Sequence, residues 1–271
     1  MLAEPPAHSR AVTIGTLPIV LILFISLSAL GLRFVHLEAD FPYQINWSGD
    51  LYTDEGWYSN NAIAHALTGR WIIEGDFNPI VSLPVFPLAQ AAAFSLLGFG
   101  LTTARVTEVV FSILVGLLSY RLVTRMAGGL SGLATLFLLS TNFTVFAFSR
   151  LAILELPMTA LTLVSLLGAV STRRPRALSL GLASLAFCLA TLTKTTALFG
   201  LPSLLYLIWT AQPSGRKGLL AASAALALIA LVLGVYYAVA DAGDPDSVAL
   251  FADTEFTPRL EGTLPSIGWA L

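Results

Sequence analysis

The segment Tyr52-Thr-Asp-Glu-Gly-Trp-Tyr58 sets two carboxylates side by side, Asp54 and Glu55. They precede a run in which Trp57, Ala64 and Leu67 recur at helical spacing and which Gly69 is suited to end. A carboxylate in this position can take a proton from a hydroxyl while its neighbour orients it or holds a cation. The same position suits a helix N-cap, where a carboxylate accepts backbone N–H groups and is favoured by the helix dipole. Adjacency alone does not separate these two uses.

Four more charged residues, Arg105, Arg150, Glu155 and Lys194, stand at the ends of apolar runs. Ionisable groups at membrane depth are costly and are functional candidates by default. Each also has a local reading: Arg105 can snorkel, Arg150 can pair with Glu155, and Lys194 can cap carbonyls at a helix C-terminus. Together with Asp54 and Glu55 they suit transfer from a lipid-linked phosphate donor. A carboxylate would take the proton of an acceptor hydroxyl, and Arg or Lys would stabilise charge growing on the phosphate leaving group. A divalent cation held by Asp54 and Glu55, with His65 as a further ligand, is another use of the same carboxylates. Trp47, Tyr52, Trp57, Tyr58 and Trp71 fit either an interface belt or a surface for stacking on a sugar.

The elements that must position these groups are dictated by composition. The 271 residues are 56% hydrophobic and only 11% charged, with a mean hydropathy of +0.81, whereas soluble domains carry about a quarter charged residues. The chain is a membrane protein. A net charge of -2 supplies no basic field and excludes nucleic acid as a main partner. Cys188, the single cysteine, forms no intrachain disulfide and reads as a small core residue.

The first apolar run, about 14–32, is too long for a signal-peptide core and reads as an uncleaved anchor and first span. A mixed, acidic stretch to about Pro79 follows, and then apolar runs near 80–99, 105–123, 129–148, 152–170, 177–193, 196–210 and 218–240. Three basic clusters decide which of these cross: Arg121 with Arg125; Arg173, Arg174 and Arg176; and Arg216 with Lys217. Cytoplasmic loops hold the Lys and Arg excess, so all three should share a side with Arg10. They do so only if 80–99, interrupted by Pro84 and Pro87, is a re-entrant or surface-lying helix.

The expectation is therefore an all-α polytopic membrane protein with about seven transmembrane helices. A first outer loop, 33–104, carries juxtamembrane helices. The outer face then collects Asp54, Glu55, Arg105, Arg150, Glu155 and Lys194, none of which belongs to the basic clusters that set the sidedness. The inner or plasma membrane, with an extracytoplasmic active face, is the expected location.

In order and content the sequence resembles the GT-C-type membrane glycosyltransferases that use polyprenyl-phosphate sugars, including the protein O-mannosyltransferases and the lipid A aminoarabinose transferase. The residues that carry the resemblance are Asp54-Glu55 with Tyr58 in the first outer loop; Leu83-Pro-Val-Phe-Pro-Leu-Ala-Gln90 leading to Leu97-Gly98 and Ala104-Arg105; Tyr120-Arg121 to Gly128-Gly129; Ser149-Arg150-Leu-Ala-Ile-Leu-Glu-Leu-Pro157; and Leu192-Thr-Lys194 before Leu201-Pro202. It covers about residues 14–240. The resemblance implies that Asp54 is the catalytic base with Glu55 beside it. It places Arg150 to Glu155 in the second outer connection and makes Lys194 a contact of the donor phosphate, as Arg105 and Arg150 would also be. Glu155 and Tyr58 would orient the site. Relatives often carry an acid-Lys-Pro-Pro sequence before the second span, where this chain reads Ile80-Val-Ser-Leu-Pro-Val-Phe-Pro87, with neither the acid nor the Lys.

The domains expected are a GT-C-like transmembrane domain over 1–240 and an outer tail over 241–271, the start of a further C-terminal part. The implied partners are a lipid-linked sugar donor, an acceptor lipid, glycan or protein, and the membrane. A secondary transporter, in which intramembrane charges line a pathway, and a non-catalytic membrane subunit are the competing readings.

Overall fold

A computed structural model describes residues 16–39, 54–76, 78–171 and 176–255, with the side chains of Asp54, Thr254 and Glu255 outside the description. Arg10, Arg173 and Arg174, used above for sidedness, also lie outside the described residues. Those described form an all-α protein. The helices are α1 (Thr16–Gly31), α2 (Asp54–Thr68), α3 (Pro79–Ser82), α4 (Val85–Leu97), α5 (Leu101–Ala127), α6 (Gly129–Thr141), α7 (Phe143–Phe148), α8 (Glu155–Ala169), α9 (Arg176–Thr191), α10 (Leu201–Thr210), α11 (Gly215–Gly243) and α12 (Pro245–Glu255). Short 3-10 turns follow α1 at Leu32–Phe34 and precede α10 at Thr195–Gly200.

Three of these helical stretches, Thr16–Phe34, Leu101–Ala127 and Gly215–Gly243, are long and apolar enough to cross a membrane. Their outward residues are large and apolar, such as Leu17, Phe24, Leu114, Leu117, Leu231 and Val239, as a hydrocarbon solvent requires. Shorter apolar helices pack between them. Successive passes alternate in direction: α5 runs against α6, α8 against α9, and α10 against α11. α6 continues into α7, and the 3-10 turn at Thr195–Gly200 continues into α10. The thirteen residues of α4 extend only about 20 Å, short of a ~30 Å hydrocarbon core. It lies against α2 and the start of α5.

The two ends differ in charge. Every acidic side chain among the described residues belongs to one end: Glu38, Glu55, Glu74, Asp76, Glu108 near the start of α5, Glu155 at the start of α8, and those of α11's last turns and α12. Arg121, Arg125, Arg176, Arg216 and Lys217 occupy the other, at the end of α5 and the starts of α9 and α11. A core cluster joins each half of the bundle. At the acidic end Ala62, Leu83, Phe86, Phe94, Ala104, Ala152, Leu154 and Phe251 are buried together. Between α8, α9, α10 and α11, Phe187, Cys188, Leu204, Ile208, Ala225 and Ile229 form a second cluster.

Glycine sets the closest helix approaches. Gly128 adopts φ +90° and its N–H bonds the Thr124 carbonyl at 3.1 Å, closing α5 so that α6 begins at the next residue. A Cβ on Gly218 would meet the Trp209 ring and lie 2.5 Å from the Trp209 carbonyl oxygen, where α10 turns into α11. Around Gly234 there is open space. Gly218→Ala should therefore lower the melting temperature of the detergent-purified protein, since overpacking costs about 1–3 kcal/mol. Gly234→Ala should leave it unchanged or slightly raised by better helix propensity.

Candidate functional site

The candidate residues converge at the acidic end. Glu55 lies in the first turn of α2, and Arg105 in the second turn of α5. The two form a bidentate ion pair: Arg105 donates from Nε to Glu55 Oε1 at 2.8 Å and from Nη2 to Oε2 at 2.7 Å. Their side chains are only 4% and 12% exposed, so the pair is desolvated and its geometry carries its stability. Arg105 Nη1 donates to the carbonyls of Leu37 and Ala39 at 2.6 and 2.8 Å. Glu55 Oε1 also accepts the backbone N–H of Ala152 at 2.8 Å. One ion pair thereby ties α2, α5, the segment after α1 and the connection before α8.

That connection also carries Arg150 and leads into Glu155. Arg150 does not meet Glu155. Its guanidinium donates to the carbonyls of Leu32, Arg33 and His36, and it lies 5.4 Å above the Phe146 ring. Burial and the nearby Arg105 charge lower its pKa, with Glu38 opposing. Glu155 pairs instead with Lys194, whose Nζ donates to Oε1 across the gap between the start of α8 and the end of α9. Lys194 has extended backbone just beyond α9, so its ammonium is free to turn toward α8 rather than cap its own helix. An ammonium has three donors, and the Lys194 side chain remains 25% exposed.

Asp54 opens α2 immediately before Glu55, its carboxylate lying outside the described residues. Tyr58, one turn on, packs against the cluster formed by Ala62, Phe86 and Ala152. Beside Glu55 a cleft of about 240 Å³ is lined by Ser59, Ile63, Phe94, Phe99 and Leu101. Its walls are largely apolar.

His65 does not join the carboxylates. Ten residues beyond Glu55 on one helix, it is displaced by about 15 Å, and its ring stacks on Trp71 at 4.0 Å. Both Glu55 oxygens are committed to Arg105 and Ala152. Among the described residues no three His, Cys, Asp or Glu side chains come together as metal ligands. Glu55 and His65 therefore do not share a cation.

Two side chains that sequence reasoning passed over belong to this end. Glu108, one turn inside Arg105 on α5, is fully buried with neither carboxylate oxygen hydrogen-bonded, and Glu155 and Glu55 are the charges that act on it. Gln90 on α4 is equally buried with both amide atoms unpartnered. The signal for Glu108 was present as a lone carboxylate inside the apolar run 105–123, three residues from Arg105. Arg33 was legible only as the end of the first span. It is buried and donates to Ser112 Oγ at 2.7 Å and to the Leu139 and Ser140 carbonyls, fastening α1 to α5 and α6.

The comparison with protein families returns a match over residues 79–237, from α3 to the last turns of α11, to the dolichyl-phosphate-mannose-protein mannosyltransferase family. No curated protein and no solved structure matches the chain. The matched region spans most of the bundle and contains Arg105, Arg150, Glu155 and Lys194. It makes this all-α membrane chain a member of the dolichyl-phosphate-mannose-protein mannosyltransferase family, membrane glycosyltransferases that draw their sugar from a polyprenyl phosphate.

Proposed function

We propose that this protein transfers a sugar from a polyprenyl-phosphate donor to an acceptor hydroxyl by single displacement with inversion at the anomeric carbon. The observation that carries this reading is the convergence, at one end of the bundle, of the Glu55–Arg105 and Glu155–Lys194 pairs on the two ends of one short connection, 152–155. Asp54 is the base. It takes the proton of the acceptor hydroxyl as that oxygen attacks the anomeric carbon. The bond from that carbon to the phosphate oxygen breaks, its electron pair stays on the phosphate, and polyprenyl phosphate leaves.

Glu55 and Arg105 have separate tasks from Asp54. Because four guanidinium N–H bonds already go to Glu55, Leu37 and Ala39, Arg105 positions the first turn of α2 and with it Asp54. The charge developing on phosphate falls to Lys194 and Arg150, the two cations that keep partial solvent access. Glu155 holds the Lys194 ammonium in place until the donor enters. The apolar cleft beside Glu55 excludes water from the reacting centre, which strengthens each of these charge interactions.

With polyprenyl-phosphate mannose as donor probe, release of polyprenyl phosphate by the full chain in membranes reads this scheme. Asp54→Asn should lower turnover by about a hundredfold or more, the scale of a lost general base. Wild-type turnover in that variant would remove Asp54 from the chemistry.

The ion pair makes a different prediction. Glu55→Gln leaves the Arg105 charge buried and unpaired, at a cost of about 3–5 kcal/mol. It should reduce the amount of folded protein in detergent, and Glu55→Gln with Arg105→Gln should recover part of that loss. A double variant that loses as much as the two single losses added together would show that the pair is not coupled.

The acidic end faces the extracytoplasmic side on this reading, with all seven passes crossing. In a Cys188→Ser background, a cysteine replacing the exposed Glu74 should react with an impermeant thiol reagent on intact cells. Cysteines replacing the exposed Met126 and Ala211 should not react. Labelling of all three would split the proposed site between two faces of the membrane.

A further inference from the structure

A second polar concavity lies at the basic end, far from the site just described. It has a volume of about 340 Å³ between α5, α8 and α9, and Arg121, Arg125, Ser171 and Ser179 line it beside Leu118 and Leu182. Arg121 and Arg125 are both exposed and stand one turn apart on α5. Like charges at that spacing repel, so without an anion the arrangement costs stability. Among the described residues no carboxylate lines the cavity, and every described acidic side chain belongs to the opposite end of the bundle.

Unpaired donors in the wall, and on Arg176 one turn from it along α9, point the same way. Ser179 is only 2% exposed, and its hydroxyl has no partner. One turn earlier on α9, Arg176 donates from Nη1 to the Ala169 carbonyl at 3.0 Å while its buried Nε and Nη2 have no acceptor. Arg125 has a single long contact, from Nη1 to the Leu167 carbonyl at 3.5 Å. Buried donors without acceptors are uncommon and call for a partner.

The chemistry of that partner is set by what adjoins the cavity. From Leu182 on its rim an exposed apolar stripe continues along α9 through Leu185 and Leu189, at the three- and four-residue spacing of one helix face. An occupant would therefore meet cationic and hydroxyl groups at one end and a hydrocarbon track at the other. We propose that this cavity binds an anionic phospholipid, with its phosphate diester held by Arg121, Arg125, Arg176 and the Ser179 hydroxyl, and an acyl chain lying along Leu182, Leu185 and Leu189. Basic pockets between helices at the positively charged end of a membrane protein are suited to such headgroups. A free phosphate would satisfy the arginines but leave the stripe unused.

Intact-complex mass spectrometry of the full chain in neutral detergent tests this, with phosphatidylglycerol, phosphatidylcholine and inorganic phosphate offered separately. Phosphatidylglycerol should be retained about tenfold more than phosphatidylcholine, the effect of one charge-assisted contact. Arg121→Gln with Arg125→Gln should abolish the preference, and Arg176→Gln alone should weaken it, which covers the case in which the double variant fails to fold. Arg216→Gln with Lys217→Gln removes the same charge from the same end and should leave the preference intact. Equal retention of the two lipids would overturn the proposal, as would equal loss in both charge-matched double variants. Binding of inorganic phosphate as tight as that of the lipid would assign the cavity to a free anion instead.

Discussion

The Glu55–Arg105 pair is the constraint on which the acidic end depends. A carboxylate and a guanidinium this deeply buried each lose their hydration, a penalty of several kcal/mol per ion that attraction offsets only in good geometry. Here the geometry is bidentate, and both groups make further bonds: Arg105 reaches two carbonyls of the segment after α1, and Glu55 accepts the Ala152 N–H. Four separate stretches of chain are therefore held to one point. α2 also packs along α4 and buries Ala62 in the core at this end, and Asn61 fastens it by donating to the Trp71 carbonyl and Asn78 Oδ1 and accepting the Ile80 N–H. The base proposed at Asp54 would need such a mount, because a misplacement of about 1 Å can cost on the order of a hundredfold in rate.

The same economy governs charge across the whole bundle. Among the described residues the acidic side chains all stand at one end, which holds cations as well, while the other end carries basic groups alone. The positive-inside tendency accounts for the basic end. It does not account for the buried acids, since carboxylates contribute little to membrane orientation. Those at the acidic end are held for a different reason: two are paired with cations, and Glu108 lies among them with no hydrogen bond. A carboxyl group without a partner inside a membrane helix is expensive.

Much of this was legible in the sequence because membrane proteins write their constraints in coarse letters. Apolar runs, proline interruptions and basic clusters are strong signals, and they announced an all-α membrane protein and the short helix at 85–97. Pairing was not legible. Arg150 and Glu155 are five residues apart and were natural partners on paper, yet the turn between α7 and α8 sends Arg150 back to the carbonyls after α1 and leaves Glu155 to Lys194. Such choices are made by tertiary contacts more than thirty residues away, and no local pattern records them. Likewise, an arginine at a span end reads as a snorkelling or phosphate-seeking group, whereas burial turned Arg105 and Arg33 inward as clamps.

These clamps explain why the bundle tolerates short and irregular helices around its acidic end. In hydrocarbon an unsatisfied carbonyl costs several kcal/mol, so a helix that stops inside the protein must hand its last carbonyls to another donor. Arg33 takes two at the end of α6, Arg150 takes those after α1, and Tyr236 and Tyr237 donate to Val81 and Ser82 at the end of α3. Each broken helix end thereby becomes a fixed, non-helical stretch of backbone next to the ion pairs. Continuous helices would satisfy the backbone without arginine, but they would also seal the bundle. Interrupted helices whose freed carbonyls are covered by arginine and tyrosine side chains leave the acidic end fixed without a continuous helical wall.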